Sequence, residues 1–543
     1  MSGTAPSAAA AADRARRRRP AQLQDRLAKR SALQAEGPDP YAAAQPVTAR
    51  VAGLRQRYGG LPPRVRTGAR VTVAGRIMSR RDHRDVDFAT LRDGAEEIQI
   101  LLAGDRTAGS PRARWRDLVD LGDLVVIEGE PLTTGSGALA VEAADFTLAS
   151  KALRPLPGRP VAPGEAVRPS AARRHYQRML LDPGETARLR QRGAVLRALR
   201  EGLYAGGFTE ADTPLLHPLP SGTARPFTAH MNAWGVPLHL RATAEMYLKR
   251  LMVGGMDRVF EIGRVFRNEG ADALHFPEFT VCEAYAVHSD YGDAAVLAER
   301  LVAAVAAALA EPGDTGRPAF ARHRLHTLLT TALGTHVDSS TPRADLAGLA
   351  RRHGIDVPPG SGAGALAVLL YRKLVEPGLR EPTFVFDFPA EGAILARPHR
   401  RDPALVETWS LVIGGLDVGQ GCSELTDPVE QRRRFTEQAV ARGDRGLAAT
   451  ELDEDFLAAL EHGLPPLGGL VLGVDRLIAA LRGGGRLRDH QCHPIVRPLP
   501  PPLVAAPGVS VPPPILPPIP ALIPALEGAA QWTPTTTSDS TPC

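Results

Sequence analysis

The sequence predicts an α+β protein, with a small β-barrel near the N-terminus and a larger sheet-and-helix region behind it. Three observations carry this. Five short stretches with alternating apolar residues and glycine turns lie between residues 70 and 142. A long amphipathic helix is signalled over Glu185–Tyr204. Between them, Pro155-Leu-Pro-Gly-Arg-Pro160 reads as a stiff connector.

The alternating stretches are Arg70–Arg76, Asp87–Leu91, Glu97–Leu101, Leu124–Gly129 and Ala138–Glu142. Alternation puts every second side chain on one face, as a half-buried strand requires. Ahead of them, Met1 to about Pro20 is rich in Ala, Ser and Arg and is read as disordered, and Ala21–Ala35 as a polar helix. In the Glu185–Tyr204 helix, Leu189, Val195, Leu196 and Leu199 share one side, and Gly206-Gly207 ends it. A mixed α/β region runs from there to about Pro498, with a helical insertion over Arg322–Pro382. From Pro498 to Cys543, dense proline alternates with Leu, Ile and Val, which forbids a packed helix or central strand.

Domains are therefore expected at 1–67 (disordered start and helical extension), 68–152 (barrel), 153–180 (linker), 181–497 (main domain) and 498–543 (Pro-rich tail). The net charge of +5 suits an anionic partner. Only four lysines occur, at 29, 151, 249 and 373, so arginine carries nearly all positive charge. Four scattered cysteines (282, 422, 492, 543) without a CxxC pair point to a reducing cytoplasm. No apolar run is long enough to span a bilayer, and the N-terminal order of alanines before Arg16–Arg19 is wrong for a signal peptide, so no membrane association is expected. Asp489-His-Gln-Cys-His493 lacks a second ligand pair at zinc spacing.

The richest chemistry lies in Arg264–Tyr285, with two arginines, four carboxylates, a histidine and four aromatics. Arginine and histidine suit a polyphosphate, carboxylates suit amines, and a flanked Phe suits a flat ring. Arg264-Val-Phe-Arg267, Gly469-Leu-Val-Leu-Gly-Val-Asp-Arg476 and Gly207-Phe-Thr-Glu-Ala-Asp-Thr-Pro214 resemble motifs two, three and one of the class II aminoacyl-tRNA synthetases. Thr223-Ala-Arg-Pro-Phe227, Leu240–Arg250, Cys422-Ser-Glu-Leu-Thr-Asp427, Leu452–Phe456 and Leu460–Pro466 narrow the resemblance to bacterial-type lysine-tRNA ligases, over about residues 20–497.

The resemblance implies an N-terminal OB-fold that binds the anticodon, a class II antiparallel-sheet catalytic domain, ATP with Mg2+, and tRNA and lysine as partners of a cytoplasmic homodimer. It gives Arg267 the α-phosphate and the amino-acid carboxylate, and Arg476 the terminal phosphate. Phe279 would stack on adenine, Glu269 accept from its exocyclic amine, and His275 lie near the leaving phosphates. Glu245 would take the α-amine, and Tyr285 with Glu424 the side-chain ammonium, with Glu283 and Gln420 lining that pocket. Phe88, Gln99 and Arg76 fall where the family reads an anticodon base. Departures cluster on the opposite wall. Ser410 stands where an acid helps to hold Mg2+, leaving Asp417 in place of the usual Glu. Gln420 replaces Asn, Cys422 an aromatic, Val471 a Gly, Phe276 an Asn, Ala393-Ile394 a Ser-Pro, and His493 a Phe. Two alternatives stay open: a paralogue acting on lysine or an analogue, related to the ligase half of lysyl-phosphatidylglycerol synthase fusions but without their membrane half, and a non-catalytic tRNA-binding protein.

Overall fold

A computed structural model of the chain describes residues 21–36, 39–43, 45–104, 109–157, 175–220, 224–310, 318–444, 451–491 and 494–495. The expected disordered start and Pro-rich tail, and most of the linker, lie outside the described residues, as do Cys492 and His493.

The first body is a closed five-stranded barrel of β1 (Val71–Arg81), β2 (Asp87–Asp93), β3 (Glu96–Leu102), β4 (Leu124–Thr133) and β5 (Leu139–Ser150), in the order β1-β2-β3-β5-β4. All five expected strands are present. Only β3 and β5 pair in parallel. Val73, Ile77, Leu91, Ile98, Ile100, Ile127 and Val141 point inward and are fully buried or nearly so. Between β3 and β4 the chain forms the helix Pro111–Leu118. Ser110 caps it by accepting from the Ala113 N–H, and proline sits in its first turn. This helix drives Trp115 into the barrel core, edge-on to Phe146.

That core also holds a charge. Asp87 is fully buried and accepts hydrogen bonds from Arg112 and Arg116 of the same helix. Burial alone would raise its pKa, but the bonds from Arg116 and Arg112 outweigh it and hold Asp87 well below the usual carboxylate range. A carboxylate with a depressed folded pKa contributes stability above its unfolded value of about 4 and loses it as the pH falls further. Asp87→Asn is expected to lower the melting temperature at neutral pH, with the gap to the parent protein closing below about pH 4. Thermal melts across that range, followed through the barrel, check this.

The second body is an eight-stranded sheet. Its strands are β6 (Thr209–Glu210), β10 (Arg258–Phe266), β11 (Glu278–Val287), β12 (Ala321–Arg324), β13 (Thr383–Pro389), β14 (Leu405–Ile413), β15 (Leu416–Ser423) and β16 (Leu467–Gly473). The order is β12-β13-β14-β15-β16-β11-β10-β6. Pairing is antiparallel throughout the centre, as expected, while the edge pairs β6–β10 and β12–β13 are parallel. The sheet is therefore mixed at its rims. A three-stranded sheet combines β7 (Leu216–His217), β8 (Phe227–Met231) and β9 (Val236–Leu240). The signalled helix runs Pro183–Ala205 and packs Val195, Leu199 and Leu203 against the sheet together with the apolar helix Tyr291–Leu309. The insertion is helical over Leu325–Leu333, Arg343–Arg352 and Ala363–Leu370, and has its own core around Leu329, Leu366 and Tyr371.

Candidate active site

Strand register builds this site. Directly paired residues share a face, so the ladder Glu283–Val471–Gln420–Ser410 crosses β11, β16, β15 and β14 as one row. The next row is Tyr285–Gly469–Cys422–Thr408. Alternation along β11 brings Phe279 and Val281 to the same face. Asp417 would fall on the opposite face of β15, but a bulge shifts the β14–β15 register between Leu411 and Val412. The extra residue, Val418, turns into the core, and Asp417 turns back beside Gln420, whose Nε2 donates to Asp417 Oδ2 at 3.0 Å.

A cavity of about 210 Å³ lies on this face. Arg267, Glu269, His275, Phe279, Asp417, Gln420 and Arg476 all line it. Seven residues drawn from three distant segments of the sequence thus meet at one opening. Arg267 begins the loop after β10, where its N–H donates to the Pro277 carbonyl and its guanidinium lies 5.4 Å from the centre of the Phe279 ring. Its charged neighbours are Glu269, Glu283 and Arg476. Arg476 reaches across from the helix Val474–Leu481 and donates to the Asp417 carbonyl at 3.2 Å. His275 is exposed on the rim, held by Asp272 at 2.9 Å. Phe276 also lines the cavity, and it packs on Ala479 and Leu487, which anchors the loop.

Glu245, Glu424, Tyr285 and Cys422 surround an ammonium of the protein itself. Lys249, on the helix Glu245–Val253, is fully buried. Its Nζ lies 2.6 Å from Glu245 Oε1 and 2.5 Å from Glu424 Oε2. The Tyr285 ring is 6.0 Å away, and Cys422 Sγ donates to Glu424 Oε1 at 3.2 Å. Burial works against this cation, yet Glu245 and Glu424 outweigh it and raise its pKa, so Lys249 stays charged. Glu283 accepts from Thr243 Oγ1 and the Ala244 N–H. Burial pushes its pKa up to about 7, and Glu245 adds to the rise. Gly469 makes the close approach feasible, since a Cβ there would collide with both Glu424 and Tyr285.

The sequence reading missed four contributors. Lys249 was visible only as the i+4 neighbour of Glu245. Arg192, from the helix Pro183–Ala205, donates to Asp475 Oδ1 at 2.7 Å and to Thr280 Oγ1 at 2.9 Å. Asp475 Oδ2 in turn accepts from the Thr280 N–H at 2.8 Å, tying the residue before Arg476 to the residue after Phe279. Glu376 belongs to the short turn Glu376–Gly378, which packs on the β14–β15 turn, and Asp417 and Arg476 are among its charged neighbours.

The residues fit Mg2+ as one that binds mainly through nucleotide phosphates. Asp417 is a carboxylate on the cavity wall, Glu376 is close, and Ser410 Oγ is buried beside them without a well-formed hydrogen bond. Among the described residues no cluster of three or more His, Cys, Asp and Glu could hold a metal unaided. Ile394, one of the sequence departures, lines a different cavity of about 380 Å³ bounded by His217, Tyr247 and Phe435.

On the barrel, Phe88 and Gln99 stand on the same outer face. Gln99 pairs with Thr90, two residues along from Phe88. His83 packs edge-on against Phe88, with ring centres 5.4 Å apart. Arg76 is on that face too, opposite Arg92, but its guanidinium is engaged with the Gly122 carbonyl at 2.6 Å. Among the described residues no helix is long and apolar enough to cross a membrane.

Comparison with known proteins agrees with this architecture. Residues 71–149 match the OB-fold nucleic acid binding domain, and residues 170–497 match the tRNA synthetases class II (D, K and N). The lysine–tRNA ligase of Mycolicibacterium gilvum is 40% identical, over 88% of this chain and 97% of that protein. That of Mycobacterium bovis is 39% identical, over the same shares. The lysylphosphatidylglycerol biosynthesis bifunctional protein LysX of Nocardia farcinica is 40% identical over 89% of this chain. The match spans only 43% of that longer protein. With barrel, sheet and motif residues arranged in this way and these matches covering most of its length, the chain belongs to the class II tRNA synthetases (D, K and N), among relatives of the bacterial lysine–tRNA ligases.

Proposed function

We propose that the protein is a lysine–tRNA ligase, which joins lysine to ATP as lysyl-adenylate and then passes the lysyl group to tRNA. One observation carries this reading. An arginine-lined cavity with an aromatic floor opens beside a buried pocket whose carboxylates are built for ammonium groups. In the first step a lysine carboxylate oxygen attacks the α-phosphorus of ATP, and the bond to the β-phosphate breaks to release pyrophosphate. In the second, the terminal ribose hydroxyl of tRNA attacks the carbonyl carbon and AMP leaves. Neither step needs a nucleophilic side chain. Arg267, between the Phe279 ring and Glu283, is placed to hold the carboxylate and the α-phosphate together, and Arg476 to hold the terminal phosphate. Glu269 would accept from the adenine amine and His275 would approach the outer phosphates from the rim. Asp417, with Glu376 close by, would hold Mg2+, which when bound supplies charge neutralisation for the leaving pyrophosphate.

Phe88 and Gln99 would receive a single-stranded anticodon base on the barrel face. Phe88→Ala is expected to raise the KM for tRNA by about tenfold, the lower range for one lost stacking contact. Aminoacylation kinetics against tRNA concentration measure this. A homodimer is part of the proposal, and sedimentation of the full chain tests it.

A second reading is favoured by the substrate wall. Val471 stands between Glu283 and Gln420, and Cys422 beside Glu424, where the family has Gly and an aromatic. These changes suit a paralogue that activates a lysine analogue. Amino-acid-dependent pyrophosphate exchange across lysine and its analogues, with and without tRNA, separates the readings. Exchange with lysine followed by tRNA charging supports the ligase, and exchange with an analogue alone supports the paralogue. No exchange with any amino acid sinks both.

A further inference from the structure

Both residues expected to bind the two amines of the substrate, Glu245 and Glu424, are held by one buried lysine of the protein itself. Two carboxylates flanking a single fixed ammonium retain one net negative charge. Glu283, packed beside them, is a further acid of the pocket; of the two cations near it, Arg241 is already paired with Glu261, which leaves Arg267. With Glu283 and Glu424 both ionised, three carboxylates and two cations leave the pocket one negative charge overall. A free lysine carries two ammonium groups and one carboxylate, one net positive charge. The pocket and that ligand then cancel. Without Lys249 the pocket would instead match a dication.

Resting on the lysine reading above, we propose that Lys249 is a specificity-determining residue. Its ammonium is a built-in counter-charge that sets the pocket to a diamino acid with a free carboxylate rather than to a diamine or a carboxyl-blocked lysine. Geometry supports a fixed charge, because Lys249 is fully buried, grips both acids at ion-pair distance and has the Tyr285 ring at cation–π range. Cys422 contributes as well, since its thiol occupies the remaining side of Glu424 and limits how that carboxylate can reorient. A change in charge at such short range alters selectivity more than total affinity, because each ligand amine gains while the ligand carboxylate loses.

The test measures affinities of the full-length protein for lysine and for lysinamide by calorimetry, and takes their ratio. Lysinamide keeps both amines and lacks the carboxylate charge. Lys249→Met is expected to shift the ratio toward lysinamide by about tenfold or more, the scale of one charge acting over a few ångströms in a partly screened site. The same substitution is made in a Glu424→Gln background, where one of the two acids gripped by Lys249 is already neutral, so removing Lys249 leaves only Glu245 without its partner and costs less folding stability. The shift from adding Lys249→Met there is expected in the same direction. Lys249→Arg, which keeps the charge, should leave the ratio near that of the parent protein. A purely structural role would weaken both ligands together, so a ratio that does not move in either background overturns the proposal. Failure of the parent protein to bind lysine at all would instead remove the lysine reading on which it rests.

Discussion

Replacing Arg267 by alanine is expected to lower lysine-dependent pyrophosphate exchange by about 10³-fold in kcat/KM, or about 4 kcal/mol of transition-state stabilisation. The magnitude follows from its position. Arg267 faces the cavity from the β10 loop, next to the Phe279 ring and between Glu283 and Arg476, so it can reach the ligand carboxylate and the α-phosphate at once. Charge develops between those two groups during attack, and a preorganised guanidinium meets it without reorganisation. Most of the loss should fall on kcat rather than on the KM for lysine, because the ammonium groups are held elsewhere, around Glu245 and Glu424. Arg267→Lys should recover little, since an ammonium cannot bridge two oxygens of different groups as a planar fork does. A loss smaller than tenfold would show that Arg267 does not touch the reacting atoms.

Asp475→Ala is expected to cost about 3–5 kcal/mol of stability, because it leaves Arg192 as an unpaired buried cation. The effect should reach the chemistry as well. Asp475 holds the Thr280 N–H and the Arg192 guanidinium, and Arg192 also holds the Thr280 hydroxyl. These bonds lock the start of the Val474–Leu481 helix to β11 just beside Phe279. With the lock gone, Arg476 and Phe279 lose their fixed separation, so the KM for ATP should rise in whatever fraction remains folded. Thermal denaturation and ATP kinetics read the two effects separately. Replacing Arg192 and Asp475 together by Met and Leu should recover much of the stability, since the bare charge is then absent.

Much of the architecture was legible along the chain. Barrel strands announce themselves by alternation, as in Glu97-Ile-Gln-Ile-Leu101, because a barrel has one wet face and one dry one. Motif strings such as Arg264–Arg267 and Val474-Asp-Arg476 marked both walls of the cavity, since each is a local pattern of charge and glycine on one strand or helix start. The helix Pro111–Leu118 and the buried Asp87 were not legible, because an Arg and Asp pair inside a barrel looks like surface charge until the chain closes around it. Phe276 read as an active-site change; it does line the cavity, and its packing on Ala479 and Leu487 as a loop anchor was not legible. Ile394 read the same way and faces another cavity.

By itself the sequence determined the barrel strands, the long helix over Glu185–Tyr204, the order of the two domains, and which residues are chemically suited to phosphate, ring and amine. Those are properties of short segments, where side-chain period and residue type act over a few positions. Only the tertiary structure decided which of them meet. The sheet register lined up Glu283, Val471, Gln420 and Ser410 in one row, and the extra residue at Val418 turned Asp417 into the cavity. Packing of the Glu245–Val253 helix against β10 and β11 carried Lys249 to Glu424. Register, bulges and helix packing are set by burial of apolar surface summed over the whole domain, so no local pattern contains them.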